Sequence, residues 1–196
     1  TFAVPGDLPT PTGGYAYARR LLREAPGLGV TLDHLELPEG FPTPDAATLG
    51  RTEEILTALP HDRPLLIDGL AYGALPVGLI RAIPCAVVVL CHHPLALETG
   101  LDPALARHLA RAETLALAEA GHVITTSHAT AEILRHDFQV PGARITAAPP
   151  GTDPAPRATG SDGPGCRILS VGSITPRKGH ARLIEALAPL AGLAWT

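Results

Sequence analysis

The chain has 196 residues, 45% of them apolar and 17% charged, with a formal net charge of −4. So large an apolar fraction supports a packed core and excludes extensive disorder, and the lack of a basic surplus argues against nucleic-acid binding. Cys85, Cys91 and Cys166 are odd in number and lack metal-type spacing, so they read as buried free thiols in a reducing compartment.

Short apolar runs alternate with helical patterns along the chain. Residues 2–4 read as the stub of a first strand, residues 15–24 as a helix and residues 30–35 as a strand. Asp45 is placed to cap a helix running to about Leu59, and residues 64–68 read as a buried strand. A short helix over 75–82 tolerates Pro76 in its first turn, and 85–91 is the most continuous β-branched run, expected as a central parallel strand with Cys85 and Cys91 on one side. Asp102-Pro103 starts a helix that puts Leu105, Leu109, Ala112 and Ala116 on one face and stops at Gly121. Then come a strand over 123–125, a helix over 129–137 capped by Ser127, and a strand over 145–147. Residues 167–171, 179–188 and 193 onward repeat strand, helix, strand.

Strands separated by helix-length segments imply βαβ units and a mostly parallel sheet. The Pro- and Gly-dense stretch 154–165 has no apolar periodicity and reads as a linker. The expected organisation is one α/β domain over 1–153, the linker, and the opening β-α-β of a second domain over 166–196. Those last residues are too few to bury a core of their own. With no Met at position 1 and a strand pattern running to Thr196, the chain reads as a fragment.

Of its 15 Lys and Arg residues only Lys178 is lysine. It stands beside Gly179 between a strand pattern and a helix pattern, an arrangement suited to phosphate, with a surface lysine in a turn as the plain alternative. Gly13-Gly14 separates the first strand from the first helix, where backbone can approach a phosphate or sugar; it is not a Gly-x-Gly-x-x-Gly fingerprint. His92-His93 follows the central strand at the same carboxyl edge. With Glu98 the pair invites a metal, but adjacent residues leaving a strand point in different directions and no other Cys, His or Asp pair completes a set, so a substrate-contacting imidazole suits that location better. Hydrogen bonding at the strand end is the structural alternative. Ser127 is explained as a helix cap because the Gly-x-Ser-x-Gly elbow of a nucleophile is missing. Pro149-Pro150-Gly151-Thr152-Asp153 reads as a hinge entrance, and Arg19, Arg20 and Arg23 as a solvated face, with peripheral contact to an anionic membrane as the minority reading.

Taken in order, these segments resemble glycosyltransferase family 4, retaining enzymes of the GT-B fold with two Rossmann-like domains. The features that carry the resemblance are Gly13-Gly14, the His after a mid-domain strand, the Thr-Ser cap, Pro149-Pro150-Gly151-Thr152-Asp153, and the Val171-Gly172-Ser173 to Arg177-Lys178-Gly179-His180 stretch. The resemblance implies a nucleotide-diphosphate sugar as co-substrate, with no resident cofactor and no metal. It places Lys178, Arg177, Gly172 and Ser173 at the donor diphosphate, Gly13 and Gly14 at the loop that closes over it, and His92, with His93 as second candidate, near the reacting sugar. Ser173 stands where family members commonly carry Arg, so Arg177 is the expected replacement. The family's glutamate pair falls beyond Thr196, so this stretch alone is expected to be inactive.

The implied function is retaining transfer of a hexosyl-type group to an acceptor of undetermined kind: a glycan, a lipid-linked sugar or a small molecule. The expected location is the cytoplasm or the cytosolic face of a membrane. The rival readings are a sugar-nucleotide epimerase and a non-catalytic carbohydrate-binding or scaffold protein of the same fold.

Overall fold

A computed structural model describes residues 1–160, 165–172 and 174–196, the side chain of Arg177 excepted. Six parallel strands, β1 (Phe2–Pro5), β2 (His34–Leu37), β3 (Leu65–Asp68), β4 (Val87–Cys91), β5 (His122–Thr125) and β6 (Ile145–Ala147), form one sheet in the order β2-β1-β3-β4-β5-β6. The helices between them are α1 (Gly13–Glu24), α2 (Ala46–Thr57), α3 (Gly69–Tyr72), α4 (Val77–Ala82), α5 (Pro103–Glu119) and α6 (His128–His136). The chain runs outward from β1 to β2, then returns across β1 to β3. That reversal leaves the carboxyl ends of β1 and β3 side by side without a crossover between them, the usual ligand crevice of such sheets.

Strand alternation sorts the core into two layers. Phe2, Val4 and Leu90, with Leu66 and Ile124 packed against them, face α1 through Ala18, Tyr15, Tyr17, Leu21 and Leu22. Ala3, Leu65, Ile67, Val89, Cys91 and Val123 point the other way, into the larger core that contains Leu56, Tyr72, Leu79, Leu117 and Leu134. Buried on both faces, the inner strands are mostly apolar, with buried Asp68 and Thr125 at their carboxyl ends.

The helix starts follow their capping residues. Asp45 accepts from the Thr48 N–H, Asp102 from the Ala104 and Leu105 N–H groups, and Ser127 from the Thr130 N–H. Three readings from sequence need correction. Gly13 and Gly14 are the first turn of α1 rather than a separate loop, because Thr12 caps the helix by accepting from the Tyr15 N–H. The strand expected over 30–35 forms at His34–Leu37 instead, after Gly29 has closed a 3-10 turn at φ 74°. Cys91 is buried, but Cys85 precedes its strand and is half-buried, and Cys166 is exposed.

The chain divides into two compact units, one of Thr1–Leu97 with Leu101–Pro150, the other of Glu98–Gly100 with Gly151–Thr196. In the second unit α7 (His180–Leu187) forms as expected. The flanking strands do not: among the described residues only an isolated parallel bridge joins Cys166 to Trp195. Leu169, Val171 and Ile184 stay exposed, so no apolar layer holds a ladder there. None of the described helices is long and apolar enough to cross a membrane.

Candidate functional site

Continuing the strand alternation past Cys91 carries residue 92 to the α1 side of the sheet. His92 is found there. Its imidazole meets the Tyr17 ring edge-on, with centroids 5.5 Å apart and planes at 81°. A Cβ placed on Gly14 would lie 3.4 Å from His92 Cδ2 and 3.5 Å from Nε2, so the glycine gives the helix start room to approach the ring. Gly13 faces open space. The sheet thus brings His92 and Gly14 together at its carboxyl edge, across the crevice between β1 and β3.

Asp68 completes this wall. It is the last residue of β3, only 4% exposed, and Oδ1 accepts the Leu70 N–H at 2.8 Å. Its other oxygen, Oδ2, lies 3.7 Å from His92 Nε2, an ion-pair distance too long for a hydrogen bond. The next residue must be small: a Cβ on Gly69 would meet the Leu90 carbonyl oxygen at 3.1 Å and Cys91 Cα at 3.2 Å. Burial pushes the Asp68 carboxyl up and the His92 imidazole down, and each partner's charge opposes the shift. His92 is therefore a neutral ring at pH 7, with Nε2 buried and holding no hydrogen bond.

The surrounding groups are fixed by backbone acceptors. Tyr15 donates its hydroxyl to the Pro5 carbonyl at 2.6 Å and Tyr17 to the Ala148 carbonyl at 2.8 Å. Thr126 donates its hydroxyl to the His92 carbonyl at 3.4 Å. Arg19, read from sequence as part of a solvated face, instead donates to the Leu8 and Thr10 carbonyls at 2.5 and 3.2 Å. It secures the loop between β1 and α1.

His93 follows a different course. Its Nε2 is buried without a hydrogen bond. Beyond it the chain turns through a 3-10 segment, Leu95–Leu97, whose Leu95 N–H is accepted by Glu113 Oε2 at 2.8 Å. Glu113 is 2% exposed, and burial pushes its carboxyl up to about 7.

In the second unit, Lys178 is exposed and ends a 3-10 turn, Pro176–Lys178, closed by Gly179 at φ 69°. A Cβ on Gly172 would lie 3.6 Å from Lys178 Cγ and Cδ, so the lysine stem runs beside that glycine. Ser173 lies outside the described residues, as does the Arg177 side chain. Among the described residues no group of three or more His, Cys, Asp or Glu is placed to hold a metal ion.

Sequence reasoning missed Asp68, Tyr17 and Glu113. Asp68 could have been found as a carboxylate closing an apolar strand immediately before Gly69, and Glu113 as an acid on the same helical stripe as Leu109, Ala116 and Leu117. Tyr17 carried no signal, since a tyrosine in an amphipathic helix reads as packing.

No curated protein sequence matches the chain. Residues 44–156, more than half of its length, match Glycosyltransferase Family 4. That match runs from the cap of α2 through Asp68, His92 and Glu113 to the residues beyond β6, over a Rossmann-like sheet of the kind found in the N-terminal domain of the GT-B fold. The chain belongs to Glycosyltransferase Family 4.

Proposed function

We propose that the chain contributes to a retaining glycosyltransferase that takes a hexosyl-type group from a nucleotide-diphosphate sugar. The observation that carries the reading is the crevice between β1 and β3, where the neutral His92 ring stands against Gly14 and beside the buried Asp68. In this reading the sugar sits at His92, where a neutral imidazole can hydrogen-bond a sugar hydroxyl without placing a full positive charge against the developing oxocarbenium ion. The bond from the anomeric carbon to the diphosphate oxygen breaks with both electrons leaving on the diphosphate. The acceptor oxygen bonds the anomeric carbon on the same face, and its proton passes to the departing diphosphate.

Lys178 is the cation assigned to that leaving diphosphate, with Arg177, Gly172 and Ser173 taken as further contacts on the family resemblance, because a fixed charge stabilises what develops as the bond breaks. Gly13 and Gly14 take the role of close backbone approach. No resident cofactor or metal is needed when protein cations perform this task. The acceptor class is open to a glycan, a lipid-linked sugar or a small molecule, and the cytoplasm or the cytosolic face of a membrane is where the donor would be met.

The test is transfer from a panel of nucleotide-diphosphate sugars by the protein carrying this chain, with the anomeric configuration of the product read by NMR. Retention, lost on His92→Ala and kept on His122→Ala, supports the reading. An inverted product, or donor binding without turnover, overturns it.

A further inference from the structure

The His92 loop is held from two sides. On one side Thr126 grips the backbone: its N–H reaches the Cys91 carbonyl at 3.4 Å and its hydroxyl the His92 carbonyl at 3.4 Å. On the other side the chain passes through Pro94 and is caught by α5, where Glu113 Oε2 accepts the Leu95 N–H at 2.8 Å and the Ala96 N–H also bonds the carboxylate. A carboxylate at 2% exposure in an apolar helix face costs stability unless its lone pairs are used. Here they are used on the segment that follows the histidines. The fit is close, since a Cβ on Gly73 would stand 2.9 Å from Leu95 Cδ1 and 3.1 Å from Glu113 Cγ. A side chain at position 73 would push on both Leu95 and Glu113.

We propose that Glu113 is a positioning residue that sets the place of the His92 imidazole by anchoring the backbone of Leu95 and Ala96 to α5. The inference rests on the role given to His92 above. Glu113 acts on His92 through the intervening backbone of His93 and Pro94, and the proline's fixed φ passes displacement on rather than absorbing it.

The anchor also responds to pH. Burial raises the Glu113 carboxyl to about 7, while the two backbone N–H groups pull it down. The titratable neighbours facing it are few. The Cys91 thiol at the end of β4 feels the Glu113 charge and is pushed well up by burial, so it stays protonated. The Asp68 charge acts on the same thiol, and His92 and His93 lie in the loop itself. Protonating Glu113 weakens its hold on the two N–H groups, so the loop loosens as pH falls through about 7.

The test follows the His92 ring resonances by NMR between pH 5 and 9 in the whole chain. In the wild-type chain they should show two inflections, their own below the usual histidine value and a second near that of Glu113, at about 7. Glu113→Gln should abolish the second, and Glu113→Ala should displace the His92 resonances while those of His122 and His136 stay in place. Leu117→Ala, a cavity in the same helix, controls for general loosening. In the transfer assay Glu113→Ala should lower kcat on the order of tenfold, with KM changed far less, as expected when a reacting geometry is misplaced.

His92 resonances that overlay on wild type in both Glu113 variants, or that move equally in Leu117→Ala, overturn the proposal. Should Glu113→Ala fail to fold, Glu113→Gln decides. The NMR readout needs no turnover, so a failure of the transferase reading is seen separately, as absent transfer with the His92–Glu113 coupling intact.

Discussion

Gly14 and His92 stand face to face across the crevice, with room between them for a methyl group and little more: a Cβ on Gly14 would reach 3.4 Å from the ring. That distance is ordinary van der Waals contact, so the fold accepts alanine there. Alanine also suits a helix better than glycine by roughly 0.5–1 kcal/mol. Gly14→Ala should therefore leave thermal stability unchanged or raise it, while cutting sugar transfer because the approach beside His92 is filled. A variant that loses activity and stability together would mean that the glycine serves packing alone.

Asp68→Asn isolates the electrostatics of the pair. The Asn oxygen can still accept the Leu70 N–H, so α3 keeps its cap. Losing the negative charge removes what holds the His92 ring basic against burial, so its titration should move further below the usual histidine value. The sign for stability follows. A histidine buried neutral contributes stability present above its unfolded value of about 6.5 and lost as pH falls through the folded one. In Asp68→Asn that acid loss should still begin near 6.5 but extend to lower pH and become larger, and NMR titration with unfolding at pH 5 and 8 would measure both.

Glu113 has the opposite sign. Its folded value is raised from 4.5 to about 7, so the protonated form is favoured by the fold. The contribution is present below pH 4.5 and is lost as pH rises to about 7. The shift corresponds to roughly 3 kcal/mol. Urea unfolding at pH 5 and pH 8 should show wild type losing more stability across that interval than Glu113→Gln does. Equal losses in the two proteins would show that the carboxyl titrates near its ordinary value. The ionised form grips Leu95 and Ala96 best, so positioning and stability pull in opposite directions at this residue.

Lys178→Ala tests the second unit. An exposed lysine at the end of a turn makes little packing contribution, so the melting temperature should hold. A charge-assisted contact to a diphosphate is worth about 1.5–3 kcal/mol, so donor use should fall by roughly ten- to a hundredfold. Unchanged donor kinetics would return Lys178 to an ordinary surface role.

The sheet was legible because its strands are short apolar runs separated by capped helices, and Asp45, Asp102 and Ser127 mark three of those starts unambiguously. Strand parity would also have separated His92 from His93, since alternate residues leave a strand on opposite faces. The rest was hidden where a residue's role depends on what lies beside it in space. Tyr17 and His92 are far apart in the chain, and the β1-β3-β4 adjacency makes them neighbours. Arg19 looked like a member of a basic face because its acceptors are backbone carbonyls, which carry no residue-type signal. The expected strands at 167–171 and 193 onward failed for the converse reason. The local pattern was right for β-structure, but Leu169 and Val171 have nothing apolar laid over them.

The Tyr17 hydroxyl reaches across 131 positions to the Ala148 carbonyl, and the same tyrosine supports the His92 ring. During synthesis the first helix leaves the ribosome long before the segment that secures it. At typical translation rates of about 5–20 residues per second, the interval is on the order of 7–26 seconds. For that time α1 can pack on Phe2, Val4 and then Leu90, but the Tyr17 hydroxyl lacks its acceptor, so this part of the crevice wall is among the last of the first unit to be secured. A premature stop before Ala148 would therefore leave β1, β3 and β4 able to pair and the Thr126 and Glu113 holds in place, but the tyrosine that backs the histidine ring untethered.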